Sequence, residues 1–377
     1  MYCVQPTIEQ VLERVQALSV ADHEMLLVYV GEECGIEMDA IVEALQALNI
    51  SFAGGTFPGV ISGQAFSKNA ILLQKYRALA PPVVVERISQ KEYTLPDFAP
   101  SIGSAQQTPV ALTLVDGLTS QIADFLSTLY DNLGNSVHFI GGGAGSLSLQ
   151  PAPCLFTNAG VFQDAAILCF LDYSIGLGVK HGWKELAGPI VATRTDQNII
   201  YELNWRPALE VYREVVEVDA QATLGEENFF SIAKGYPFGM YREQAENIVR
   251  DPISTQADQS LVCVGEVPEH TVLHILKGEQ KRLLASAKEA AKQSLGDRSQ
   301  APEQVLLIDC ISRTLFLEDE FQKELGAINN TFKALSPDVK LGGALTLGEI
   351  SSFGNESLQF YNKTIVVGSF YPQLSNA

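Results

Sequence analysis

The sequence predicts a mixed α/β protein of two domains, residues 1–222 and 223–377, built from repeated strand–helix–strand–(Gly-Gly)–strand units. Three observations lead there. The chain has 377 residues, and at about 150 residues per domain that is two or three domains. Hydrophobic residues make up 46% and charged residues 18%, enough apolar material for real cores, which excludes disorder. One order of elements, with paired glycines at a fixed place, recurs three times at unequal spacing. That spacing argues for duplication inside globular domains and against a solenoid.

The elements follow in chain order. Residues 7–22 read as an amphipathic helix, with Thr7 as N-cap three residues before Gln10 and a stripe of Ile8, Val11, Leu12, Val15 and Leu18. The first unit is a buried-strand run at 26–31, a helix at 38–48, a strand at 50–53 that breaks into Gly54-Gly55, and a strand at 69–76. The second is a strand at 109–115 ending in Asp116-Gly117, a helix at 119–133 capped by Thr119, and a strand at 137–140. It opens into Gly141-Gly142-Gly143-Ala144-Gly145, and a hairpin follows within 155–172. The third is a strand at 305–309, a helix around 317–335, Gly342-Gly343, and strand-like sequence at 358–370. Between the second and third units, 190–204 alternates around Asp196-Gln197-Asn198 as a hairpin. Pro207 opens a helix to 218, and polar residues 219–228 mark the domain boundary. Strands at 261–267 and 271–276 and a helix at 279–295 complete the reading.

Composition removes several functional classes. Lys+Arg is 25 and Asp+Glu is 44, a net charge of −19. Without a basic block, this argues against nucleic acid or anionic lipid as a partner. No apolar run approaches the ~20 residues of a membrane helix, so no membrane insertion is expected. The first residues lack the basic and apolar segments of a signal peptide. The six cysteines are scattered, with no Cys-x-x-Cys pair, so neither a disulfide framework nor a zinc ribbon is expected. The expected location is cytoplasmic.

Four groups of residues could carry chemistry. The glycines at 141–143 follow a strand but fail the dinucleotide fingerprint, because Pro151 and Pro153 stop the helix it requires. They either permit a sharp turn or close backbone approach, or offer N–H groups to a carboxylate or phosphate. Asp309-Cys310-Ile311-Ser312-Arg313 lies at the end of a buried strand, where open α/β sheets place ligands. Its Cys–Arg spacing is too short for a phosphatase loop, and no neighbouring histidine would activate Cys310. The structural alternative is a small apolar cysteine beside an Asp309–Arg313 pair. Gly348-Glu349, Asn362 and Arg250-Asp251-Pro252 place polar groups in apolar sequence, either as structural turns or as contacts. His270 and His274 have metal-like spacing for a helix but lie in strand-like sequence, about 13 Å apart at ~3.3 Å per residue, so no metal site is expected.

Taken together, these segments resemble the FIST family. Gly54-Gly55-Thr56 with Gly59, Phe139-Ile140-Gly141-Gly142-Gly143-Ala144, Phe156-Thr157-Asn158 and His181-Gly182-Trp183 are similar to its N-terminal module. Arg250-Asp251-Pro252, Gly265-Glu266-Val267-Pro268, the 309–313 segment, Leu347-Gly348-Glu349-Ile350 and Asn362-Lys363-Thr364 are similar to its C-terminal module. The match runs over about residues 24–370, and Val60 departs from it where the family often has Glu. The resemblance implies an intracellular sensory domain pair of signal-transduction proteins that binds small ligands, amino acids being favoured. No kinase, cyclase or receptor coiled-coil signature accompanies it, so the signalling partner is unidentified.

The leading expectation is therefore a stand-alone sensor that binds an amino acid or small organic acid in a pocket between the domains. The expected contacts are Gly141, Gly142, Gly143, Ala144, Asp309, Cys310, Arg313 and Glu349, with no cofactor. A ligand-free interaction scaffold and an enzyme using Cys310 or Asp309 are the alternatives.

Overall fold

The computed structural model describes the chain except residues 91–92, 104, 243–245, 353–357 and 374–377. It is a mixed α/β structure of four sheets. Three have six strands each, and each of these centres on one parallel pair held in register over seven residues. The pairs are Glu24–Gly31 with Ser51–Phe57, Val110–Asp116 with His138–Ala144, and Gln304–Cys310 with Lys340–Thr346. A helical crossover links the strands of each pair, as parallel neighbours require.

Glycine takes the fourth place of each second strand. A Cβ on Gly54, Gly141 or Gly343 would lie 2.2, 1.7 or 1.8 Å from the carbonyl oxygen of the residue paired with it. Only glycine fits there. The sequence reading ended two of these strands at the first glycine, treating it as a break. In the structure the backbone runs on as strand through Phe57 and Ala144. Glycine's cost of ~0.5–1 kcal/mol in a strand is offset because both edges of the strand are hydrogen-bonded.

The other neighbours come from distant sequence. The hairpin strand that follows each parallel pair leaves its own sheet. Gly59–Ser62 pairs with Lys340–Thr346, Leu155–Thr157 with Ser51–Phe57, and Glu349–Ser351 with His138–Ala144. Each of the three sheets therefore contains strands from well-separated parts of the chain.

Alternation sends one face of every sheet inward. Leu27, Tyr29, Leu112, Leu114, Leu306 and Ile308 share one core. The opposite faces pack under helices: Val28 with Val11 and Ile41, Ala111 with Phe125 and Leu129, and Leu307 with Leu283 and Ile328. The expected first helix forms at Ile8–Leu18, where Thr7 and Gln10 make a reciprocal capping box.

The fourth sheet lies between the second and third parallel pairs in sequence. Lys184–Asp196, Val272–Lys277, Phe238–Met240, Ile248–Thr255, Leu261–Val264 and Ile199–Leu203 pair in that order. The last returns to the first, closing a six-stranded antiparallel barrel. Closure leaves no free edge. Among the described residues, no helix is long and apolar enough to cross a membrane.

Candidate ligand site

At the carboxyl end of Val110–Asp116, the chain turns through Gly117 towards helix Ile122–Leu133. A Cβ on Gly117 would meet Leu347 Cβ at 2.8 Å and Ala144 O at 2.9 Å, and its N–H donates to Ala144 O (2.8 Å). The turn thus rests on the end of the glycine-rich strand. Asp116 fixes its shape, accepting from Leu118 N–H (3.1 Å) and from Asp164 N–H (2.9 Å). Thr119, expected as the helix cap, instead donates its hydroxyl to Asp164 Oδ1. The cap residue is Gln121, at φ 65°, and no side chain caps the helix. Its first-turn N–H groups, which have no intrahelical partner, carry the positive end of the helix dipole.

The barrel faces this turn across a cavity of about 220 Å³, with Arg250 in its wall and Phe360 beside it. Arg250 is only 4% exposed. Its Nε donates to Glu266 O (2.8 Å), and its Nη1 donates to Val249 O (3.0 Å) and Phe360 O (3.3 Å). Gly265, at φ +82°, makes room for it, since a Cβ there would lie 3.0 Å from Arg250 Nε. Among the described residues, no carboxylate lies within ion-pair distance of this guanidinium. Burial lowers its pKa to about 10, so it stays charged at neutral pH. A buried cation hydrogen-bonded only to carbonyls, with the Glu266 charge acting on it from a distance and an uncapped helix opposite, is a place for an anion. Glu266 borders the same cavity and supplies the opposite charge.

None of the residues expected from sequence as ligand contacts lines this cavity. Glu349 pairs with Gly142 across adjacent strands, and the Gly143 N–H donates to Gly348 O (2.8 Å). Asp309, Cys310, Arg313 and Glu349 are all buried. Asp309 occupies the helix-covered face of its strand, at the position that Val30 and Val115 hold in the other two parallel pairs. Arg313 donates to Glu324 Oε1 (3.1 Å) and Oε2 (2.5 Å), to His181 O (2.6 Å) and to Leu283 O (3.2 Å). Its Nε is 3.4 Å from Asp309 Oδ1. Burial and the nearby Glu324 charge hold Asp309 well above the usual carboxylate range, against the pull of Arg313. Glu349 accepts from Thr364 N–H and Thr346 Oγ1, both at 3.1 Å. Burial nevertheless raises its pKa to about 8.

Burial also pushes the Cys310 thiol up, the direction of an inert cysteine. His274 sits in strand Val272–Lys277 and pairs with Glu185 at 3.1 Å. Among the described residues, no group of His, Cys, Asp and Glu is arranged to hold a metal.

Sequence reasoning reached Arg250 and the Asp116-Gly117 strand end separately and had no means of joining them. The signal present was Arg250-Asp251-Pro252, a charged pair in apolar sequence.

No curated protein matches the chain. It does match the FIST N domain over residues 24–206 and the FIST C domain over residues 208–352. These cover most of the sequence, and the barrel strands are divided between them. The chain belongs to the FIST family, whose domains are sensory modules of signal transduction.

Proposed function

We propose that this protein is a cytoplasmic sensor that binds an amino acid or related small acid in the cavity between helix Ile122–Leu133 and the barrel. The observation that carries the reading is Arg250, a buried cation with no carboxylate within ion-pair distance among the described residues, facing an uncapped helix N-terminus. The cavity has the volume of about seven waters at ~30 Å³ each, suited to a small metabolite. A ligand carboxylate would meet Arg250 and the helix N–H groups, and an ammonium would meet Glu266. Charge-assisted hydrogen bonds contribute ~1.5–3 kcal/mol each, so three of them, less ordering costs, support roughly micromolar binding.

In this reading, Gly143 and Ala144 support the turn at Gly117, and the Asp309, Cys310, Arg313 and Glu349 cluster is structural. The three sheets with parallel pairs derive from one duplicated unit, and residues 1–222 and 223–377 are two halves joined through shared sheets. Enclosure of Cys310 favours binding over catalysis. The six cysteines, none of them in a disulfide, fit a reducing compartment. The scaffold reading has one observation in its favour: Trp205 stands 78% exposed at a hairpin turn, at φ 60°.

A thermal-shift panel of amino acids and short organic acids tests the proposal. A ligand at 100 times its Kd adds about 2.7 kcal/mol. At ~2.1 cal/mol/K of unfolding entropy per residue, this raises Tm by about 3 °C. Arg250→Gln should abolish the response. If nothing in the panel moves the wild-type transition at millimolar concentration, or if Arg250→Gln responds equally, the cavity is not the sensory site.

A further inference from the structure

A second cavity opens at the other end of the parallel strands, in the seam between the first and third sheets. It has a volume of about 570 Å³. Three carboxamides line it: Gln74 from strand Ala70–Arg77, Gln304 at the start of Gln304–Cys310, and Asn329 from helix Phe321–Lys333. All three are more than nine-tenths buried. Among the described residues, only Gln304 Nε2 of their polar side-chain atoms has a partner, donating to Lys75 O at 3.3 Å. Gln74 Oε1 is buried without a hydrogen-bond donor among the described residues, a situation that costs ~1–3 kcal/mol unless something outside the chain supplies one.

The space is shaped for the Gln74 amide. A Cβ on Gly342 would lie 3.0 Å from Gln74 Nε2 and 3.1 Å from Gln74 Cδ. A glycine on the third sheet therefore admits a side chain from the first.

The charged groups around the cavity other than those at its rim are engaged within the protein, the Met1 α-ammonium donating to Leu73 O. Lys75 Nζ pairs with Glu24 at 2.9 Å, Lys333 Nζ donates to Val339 O at 2.9 Å, and Glu303 pairs with Arg77 at 3.3 Å. Asp338 and Lys340, exposed and opposite in charge, stand at the rim. What remains open toward the cavity is neutral: amide donors and acceptors that do not ionise, with Leu72 and Tyr2 as apolar wall.

The geometry points to a second binding site, for an uncharged polyhydroxyl ligand, a mono- or disaccharide. Together the three carboxamides offer donors and acceptors, the complement of paired sugar hydroxyls. The volume is more than twice that of the Arg250 cavity. The site shares no residue with that cavity and does not rest on it.

Titration calorimetry of the full chain with glucose, galactose, trehalose and inositol tests the site, with the nucleosides uridine and inosine as contrast. A saturable response to at least one sugar is expected. Gln74→Leu should weaken it at least tenfold while leaving Tm unchanged or raised, because the substitution removes a buried acceptor that has no donor. Asn329→Ala should weaken it as well, and Arg250→Gln should leave it intact. The assignment is overturned if no sugar binds at tens of millimolar, if Gln74→Leu binds as the wild type does, or if the nucleosides bind and the sugars do not.

Discussion

Arg313→Met removes the centre of the buried ion cluster without leaving a large cavity. The guanidinium it deletes makes two hydrogen bonds to Glu324 and further ones to the carbonyls of His181 and Leu283. Both members of the Arg313–Glu324 pair are fully buried. The substitution therefore strands a carboxylate in a low-dielectric interior, where breaking such a pair costs about 3–5 kcal/mol. At ~2.1 cal/mol/K per residue the unfolding entropy is about 0.8 kcal/mol/K for this chain, so Tm should fall by about 4–6 °C.

The double variant Arg313→Met with Glu324→Met replaces the pair by apolar volume and should recover most of the loss, since such replacements are often neutral. Thermal unfolding followed by circular dichroism at neutral pH reads both effects. If Arg313→Met melts with the wild type, or if the double variant is as impaired as the two single losses added together, the cluster is not a coupled ion pair and the reasoning fails.

Glu349→Gln should flatten the pH dependence of stability. Burial raises the Glu349 pKa to about 8, against the pull of its Thr364 and Thr346 hydrogen bonds. The wild type therefore loses stability as pH climbs from about 4.5 through 8. The variant should match it near pH 5 and exceed it at pH 8 and above; denaturant titrations at the two ends check this, and equal slopes would refute it. Gly141→Ala should cost about 3 kcal/mol or more, the upper range of overpacking, because its Cβ would sit 1.7 Å from Thr113 O. Gly326→Ala, in helix Phe321–Lys333 with nothing within 4 Å of its Cβ, should stabilise by about 0.5–1 kcal/mol. The difference in Tm between these two glycine variants is the measurement, and similar values would refute the close-approach argument.

Local chemistry was legible from the sequence. Thr7 and Gln10 announced a capping box, and Pro207 the start of helix Ala208–Ala220. Apolar runs placed the strands at 109–115 and 305–309 within a residue or two of where they lie. These features depend on neighbours three or four positions away, or on the period of a single element, and the chain carries that information in its own order.

Partnership across the fold was decided by tertiary structure. The glycines at 141–143 read as a sharp turn, a close backbone approach or a set of N–H groups for an anion, and the sequence did not choose among them. They lie within a strand because Thr113 and Gly348, 28 and more residues away, close in on both sides. The helix expected around 317–335 forms at Phe321–Lys333, and a separate helix, Ile311–Leu317, precedes it, from which Arg313 reaches Glu324. The sequence brought Asp309, Arg313 and Glu349 forward because charges in apolar runs stand out, but their mutual burial depends on which helix covers which face. Arg250 carries the same signal. It faces a cavity because the barrel closes and sets it opposite helix Ile122–Leu133, a juxtaposition of segments more than a hundred residues apart that no local pattern encodes.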